Sequence, residues 1–363
     1  TGFSPAQCLL EQYHQEGIEQ GARIRDGLRD AVTQAIQIFG SGLLEHPGNH
    51  ALRSAVQSGK ITAPAFFRRL LRLIYRILFL SVVEERGLVF PPDTPDASRE
   101  IYRECYGIQR LRRLARLPGL RSRRHHDAWL SLLSTFGIFE SAEAAARLGA
   151  TAFGGDLFNP EGFTPLHECR LSNADFLEAL DRLCSFDDPR TRGRLPVNFG
   201  ALATEEFGSV YESLLELHPV ILQEPRWEFS FQEIAGNERK ITGSYYTPSS
   251  LVNSLLDTAL EPLLESAVKQ PDAEQALLSL KICDPACGSG HFLIAAAQRV
   301  ARRLALIRSK GDEPSPDQQR HALRQVISRC IHGVDLNPMA AELCRVALWL
   351  EAVEPGKPLT FLD

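Results

Sequence analysis

The stretch Lys281-Ile282-Cys283-Asp284-Pro285-Ala286-Cys287-Gly288-Ser289-Gly290-His291-Phe292-Leu293 decides the fold. Leu280 to Cys283 is an apolar run of strand length, and Asp284-Pro285 breaks it. Gly288-Ser289-Gly290 supplies backbone without bulk, and from Phe292 onward Leu293, Ile294, Ala297, Val300 and Leu304 recur at helical spacing. Strand, glycine loop and helix make the first unit of a doubly wound α/β sheet, in which ligands bind beyond the carboxyl ends of the strands.

The glycines alone are a weak signal. A dinucleotide site wants a third glycine at position 293, where this chain has Leu293. Asp284 at the strand tip is also an unwelcome neighbour for a pyrophosphate. An acidic strand end suits a ligand with an ammonium group and no phosphate, such as S-adenosyl-L-methionine.

The whole chain sets wider bounds. Its 363 residues allow two or three domains, and 44% hydrophobic and 23% charged residues are ordinary for a globular protein. A net charge of -5 does not advertise nucleic-acid binding, although a basic face fits within an acidic total. The 8 cysteines are scattered without Cys-x-x-Cys spacing, which favours reduced thiols in a cytoplasmic protein over a metal or disulfide role. Ile77 to Val83 is far short of the ~20 residues of a membrane span. Thr1 and Asp363 look like the ends of a piece of something longer.

Up to about residue 220 the pattern is helical. Ile24, Leu28, Ala31, Val32, Ala35, Ile36 and Phe39 mark a first helix. A second starts at the cap Thr62 with Pro64 in its first turn, and its apolar residues wrap most of its circumference, leaving Arg68, Arg69, Arg72 and Arg76 as a stripe. From Arg110 to Arg124, 7 arginines interleave with leucines. They read either as the solvated face of an amphipathic helix or as contacts to a DNA backbone, with Arg112, Arg113, Arg116, Arg121, Arg123 and Arg124 as the candidates. Ala152 to Pro165 reads as a long ordered loop, Leu171 to Leu183 as a helix capped by Ser172 or Asn173, Asp187 to Pro196 as a charged linker, and Thr204 to Leu217 as another capped helix. A strand-like segment, Trp227 to Phe231, precedes Gly243-Ser244-Tyr245-Tyr246-Thr247-Pro248, a turn that feeds a helix running to Leu264. A later strand, Cys330 to Val334, ends in Asp335-Leu336-Asn337-Pro338 and an apolar helix to Ala352. Asp335 suits a ribose clamp, because a carboxylate accepts both hydroxyl protons, and Leu336 suits an adenine face. Asp335 and Asn337 also read simply as caps of the following helix.

Asp284 to Leu293 resembles motif I of the amino-group DNA methyltransferases that act on adenine N6. Gly243 to Pro248 resembles their motif X and Gly333 to Pro338 their motif II. These stretches occur in the family's order over about residues 237–363. The helical part is similar, more weakly, to the front of large single-chain methyltransferases in type IIG restriction-modification and phage-defence (BREX, DISARM) systems, through Phe207 to Leu215 and Gly154 to Phe158. The resemblance implies a mostly helical domain over residues 1–235, with a sub-boundary near 90–100 or 150–165. The start of a Rossmann-like class I methyltransferase sheet would follow over residues 236–363. It implies S-adenosyl-L-methionine as cofactor, double-stranded DNA and further defence-system subunits as partners, and no membrane.

Residue by residue, the resemblance implies that Tyr246 and Thr247 lie at the cofactor, Thr247 on the methionine carboxylate, and that Asp284 faces the ammonium. Ala286, Gly288 and Gly290 would line the loop, Asp335 would hold the ribose and Leu336 the adenine, while Tyr245 would wall the target-base pocket or simply pack in the core. The family's catalytic tetrad, Asn or Asp followed by Pro-Pro and an aromatic residue, occurs nowhere in these 363 residues. It is expected beyond Asp363, so this piece alone should show no turnover. A non-catalytic cofactor-sensing or DNA-binding subunit with a vestigial methyltransferase fold remains the alternative, and amino groups of RNA or protein remain alternative targets.

Overall fold

A computed structural model describes residues 29–188, 193–201, 208, 214, 217–232 and 247–362. Helices dominate: α1 (29–45), α2 (His50–Gln57), α3 (Ala63–Glu85), α4 (Asp96–Ile101), α5 (Ile108–Ala115), α6 (Asp127–Glu140), α7 (Ala142–Arg147) and α8 (Asn173–Leu183) form an amino-terminal body. The hairpins β1 (Ser185–Asp188) with β2 (Gly193–Pro196) and β3 (His218–Leu222) with β4 (Glu228–Gln232) are antiparallel. Helices α9 (Ser249–Ala259), α10 (Glu261–Val268) and α11 (Ala273–Leu278) lead to β5 (Ile282–Asp284), α12 (His291–Arg308), α13 (Pro316–Cys330), β6 (Ile331–Gly333) and α14 (Pro338–Ala352). Strands β5 and β6 pair in parallel, Ile282 opposite Ile331 and Asp284 opposite Gly333. The expected doubly wound sheet is thus represented, among the described residues, by this single parallel pair. None of the described helices is long and apolar enough to cross a membrane.

Local chemistry sets the helix ends. The Thr62 hydroxyl accepts the Ala65 N–H at 3.3 Å and starts α3, a cap of about 1 kcal/mol. Ser172 caps α8, and Ser315 with Gln318 forms a capping box on α13. Three sequence expectations are corrected. Leu117-Pro118-Gly119 stops the arginine-rich helix at Ala115, because proline cannot donate to the helix and pushes its predecessor out of helical geometry. The helix expected to reach Leu264 breaks at Leu260, and Pro262 opens α10. The charged linker after Asp187 is the β1–β2 hairpin, whose second strand is largely exposed.

Helix α3 is buried on nearly every side from Phe66 to Val83. Of its arginine stripe, Arg68 is exposed, Arg69 and Arg72 are half-buried and Arg76 turns fully inward. Arg76 has no exposed side-chain surface, and its guanidinium meets Glu140 at 2.6 Å, Leu157 O at 2.7 Å and Asn159 O at 3.0 Å. The ring of Phe163 lies 4.6 Å away, with Phe136 and Phe158 close by. Burial pulls its pKa down to about 10 while Glu140 pushes back, so it stays charged at neutral pH. One buried cation therefore pins the irregular 150–165 segment to α3 and α6.

Two apolar cores result, and α14 contributes to both. Leu343, Val346, Trp349 and Leu350 enter the amino-terminal core, while Cys344, Ala347, Leu348 and Ala352 enter the core built around α12 and α13. Arg72 bridges Glu342 of α14 (2.8 Å) and Asp156 (3.1 Å), and Arg345 adds a contact to Asp156 at 3.4 Å. The glycine loop rests on the same helix. Gly290 has φ +88°, and a Cβ there would stand 2.7 Å from Cys344 Sγ.

Arg76→Ala should lower stability by about 3–5 kcal/mol, because Glu140 and two carbonyls lose their donor in a dry site. Denaturant unfolding followed by far-UV circular dichroism checks this, and a loss below about 1 kcal/mol would contradict the pinning role. Gly290→Ala should also destabilise, through both backbone conformation and the Cys344 contact. Adding Cys344→Ala should recover the contact part only, so thermal unfolding of the double variant should show less damage than the two single losses combined.

Candidate functional site

The two short strands end side by side in acids. Asp284 closes β5, and Asp335 follows β6 by two residues. Val334 N–H donates to Asp284 O and Cys287 N–H to Val334 O, both at 2.9 Å, so the parallel pairing continues past the strands into the loop. Asp284 Oδ1 accepts the Ala286 N–H at 3.0 Å, which turns the chain after the strand. Gly288, at φ +50°, then directs its N–H to Asp335 Oδ2 at 2.9 Å. The other carboxylate oxygen, Oδ1, accepts the Asn337 N–H at 2.8 Å. Asn337 itself caps α14 through the Met339 N–H at 3.0 Å.

The Asp335 carboxylate therefore does two jobs. It ties the glycine loop to the end of β6, and it keeps acceptor capacity in reserve. A carboxylate offers about four lone-pair sites, and one N–H on each oxygen leaves each oxygen able to accept again. That remaining pair matches two neighbouring hydroxyls. Leu336 beside it is fully exposed at 105%, the most exposed large apolar side chain among the described residues. Covering such a side chain with a flat apolar ligand is worth about 1.5–3 kcal/mol. The residues present thus fit a nucleoside carrying positive rather than negative charge.

Of the sequence candidates, Asp284, Ala286, Gly288, Gly290, Asp335 and Leu336 come together at this strand-end crevice. Gly290 is buried, and α14 sets its need for glycine, since an added Cβ would strike Cys344. Thr247 is joined to the loop by His291, whose Nδ1 donates to Thr247 O at 3.1 Å. Since a carbonyl only accepts, that ring nitrogen carries the proton. Tyr245 and Tyr246 lie outside the described residues, as do most of the helix expected over Thr204 to Leu217 and the start of the first helix. Gly208, from within that expected helix, stands against the loop: a Cβ on it would lie 3.1 Å from Ser289.

Sequence reading missed His291 and the pairing of Cys287 with Cys344. The two thiols share a hydrogen bond behind the loop; this bond, with burial, pushes Cys344 well up and holds it as a thiol. Spacing alone carries no sign of either contact, although a histidine in the first turn after a glycine loop is a chemical signal worth following. Among the described residues no cluster of His, Cys, Asp or Glu could hold a metal, and the described cysteines are free.

The arginine candidates divide. Arg112 is 9% exposed, paired with Glu85, donates to Val197 O at 2.9 Å and lies over the Phe199 ring. Arg121 meets Asp181 at 2.9 Å and Ala115 O at 3.0 Å. Both are built into the body, which corrects their placement on a DNA-facing surface. Arg113, Arg116, Arg123 and Arg124 are exposed.

Comparison with known proteins covers the segment that holds these strand ends. Residues 225–357 match the family model for N-6 DNA methylases. An adenine-specific methyltransferase, PglX, of Streptomyces coelicolor is 31% identical over 123 residues, which is 34% of this chain and 9% of that protein. A type II restriction enzyme and methyltransferase of Methanocaldococcus jannaschii is 26% identical over 176 residues, 39% of this chain and 14% of that protein. The matched segments are thus small parts of these curated relatives. Residues 225–357 thus carry the N-6 DNA methylase match, and the two relatives bear the names of an adenine-specific methyltransferase and of a type II restriction enzyme and methyltransferase.

Proposed function

We propose that the crevice between Asp284 and Asp335 binds S-adenosyl-L-methionine, and that the chain serves adenine N6 methylation of duplex DNA in restriction or phage defence. The single observation that carries this is the Asp335 carboxylate, which holds the Gly288 N–H while keeping one acceptor position on each oxygen. Bound there, the cofactor supplies a methyl group on a positively charged sulfur. In this reading Asp335 takes the ribose hydroxyls, Leu336 covers the adenine, Asp284 faces the ammonium, and Thr247, with Tyr246, meets the carboxylate end. Ala286, Gly288 and Gly290 keep the loop low enough for the ligand to lie across it. Tyr245 borders the target base. The helical part, about residues 1–235, supports DNA and partner subunits, and residues 236–363 carry the cofactor-binding part of the methyltransferase.

Holding the donor is one half of the reaction. The other half needs acceptors that draw the adenine amino group toward the methyl, the task of the Asn/Asp-Pro-Pro-aromatic tetrad, which these 363 residues do not contain. We therefore assign the chain the donor site and place the amino-group acceptors elsewhere in the working protein. The missing tetrad also favours a second reading, a cofactor sensor without transfer. Methyl transfer by a complete protein carrying this chain separates the two.

Isothermal titration of the chain with S-adenosyl-L-methionine should give one site, and Asp335→Ala should weaken it at least about tenfold, the worth of charge-assisted hydrogen bonds to two hydroxyls. No binding to the parent chain, or unchanged binding to the variant, would remove the assignment. With methyl-labelled cofactor and duplex DNA, the chain by itself should transfer no label, and labelled adenine would show that the tetrad is dispensable.

A further inference from the structure

Three stretches far apart in sequence meet at one end of the helical body. Asn49, buried, joins two of them: its Nδ2 donates to Leu43 O and Arg170 O, each at 2.7 Å, and its Oδ1 accepts the Arg170 N–H at 2.8 Å. The third is stitched on by Asn173 N–H to His125 O (2.7 Å) and Ala174 N–H to Ser122 O (3.1 Å). The rings of His46 and His126 then stand edge to face, 6.2 Å apart. Gly48 lets the Arg170 stem lie beside His46, since a Cβ there would be 3.3 Å from both.

This junction gathers positive charge that the linear sequence scatters. Arg123, Arg124 and Arg170 are exposed around His46, His125 and His126, with Arg53 close to His46. Arg53 directs its guanidinium to the neutral carbonyls of Leu44, His46 and Pro47 and to the His50 ring, and meets no carboxylate among the described residues. The facing carboxylates are Asp127, held by Asn173 Nδ2 at 2.9 Å, and Asp175, held by Ser172 at 2.6 Å with Arg123 only at 3.8 Å. Arg53, Arg123, Arg124 and Arg170 thus outnumber Asp127 and Asp175 by two, and Glu45, next to His46, is taken up by Arg226 at 3.7 Å. Burial lowers the His46 pKa first, and His126, Arg170 and Arg53 lower it further, in keeping with that local field.

We propose that this end of the helical body is a contact surface for the phosphate backbone of duplex DNA, made by Arg123, Arg124 and Arg170 beside His46 and His126. Backbone contacts position a duplex without reading bases, and exposed arginines on a hydrogen-bonded frame suit that task. The location of the surface stands on the contacts above, and the choice of duplex DNA as the polyanion rests on the proposed function. Of the arginine run noted in the sequence, only its carboxyl end takes part, joined by Arg170 from a segment that carries no arginine run.

Anisotropy titration of the full chain with a short labelled duplex across a salt series tests this. Arg124→Glu with Arg170→Glu should raise Kd at least about tenfold and reduce the slope of log K against log salt by about 2, roughly 0.9 per lost phosphate contact. The neutral pair Arg124→Gln and Arg170→Gln should give the same slope change with a smaller loss, which covers the case of a misfolded glutamate variant. The same charge change at Arg103 and Arg147, exposed elsewhere, should leave the slope nearly unchanged. Equal affinity and slope in parent and patch variants, equal losses in the Arg103/Arg147 control, or no binding by the parent chain at low salt would each overturn the proposal. Cofactor titration on the same preparations reports separately on the donor site, so a failure of that assignment is distinguishable from a failure of this surface.

Discussion

Helix α14 has two apolar faces, and much of the molecule follows from that. A helix with apolar residues on opposite faces must be covered on both. Leu343, Val346, Trp349 and Leu350 are enclosed by the helical body, and Cys344, Ala347, Leu348 and Ala352 by the core around α12 and α13. Its start is fixed by Asn337, two residues after Asp335, and its side wall is what Gly290 rests against. Any shift of α14 against the helical body must therefore move the second strand end and the glycine loop together. The Trp349 indole, bonded to Leu359 O at 3.0 Å, and Leu359 N–H, bonded to Phe153 O at 2.7 Å, close the far end of the same seam.

The legible part of this fold was its punctuation. Thr62, Ser172 and Asn337 could be read as caps because a side-chain oxygen three residues or fewer from an orphan N–H acts locally. The strand–glycine–helix unit was legible for the same reason. What could not be read depends on distant partners. Nothing around Arg76 reveals Glu140, so a charged stripe read from periodicity became the buried pin of the 150–165 loop. The β1–β2 hairpin escaped because its strands are too polar and exposed to show an alternating pattern. Pro118 and Pro262 stand in stretches whose apolar periodicity runs straight through them, which masks the break that the lost hydrogen bond makes.

In the proposed reading an acid, rather than a third glycine, sets the ligand class. A phosphate would bring negative charge between two carboxylates at neighbouring strand ends. A ligand with a sulfonium and an ammonium turns the same field into attraction. Asp335 adds geometry to this preference, because its hydrogen bond to Gly288 fixes the loop before any ligand arrives. Preorganisation of that kind lowers the ordering cost of binding. The exposed Leu336 is the complementary feature: a large apolar side chain left fully in water beside a polar clamp gains by being covered.

The arginines show how one residue type divides between scaffold and surface. Arg72, Arg76, Arg112 and Arg121 each meet a carboxylate in a partly or wholly dry setting, where losing either partner would strand a charge. Such residues cannot leave their partners for a phosphate without exposing that cost. Arg124 and Arg170 carry no such obligation in their surroundings among the described residues, and their backbones, not their guanidinium groups, tie them to the frame. A run of arginines in sequence is therefore a poor map of a nucleic-acid surface. The better map is the set of exposed guanidinium groups whose own main chain is already held, because the frame then keeps its shape whether or not the polyanion is bound.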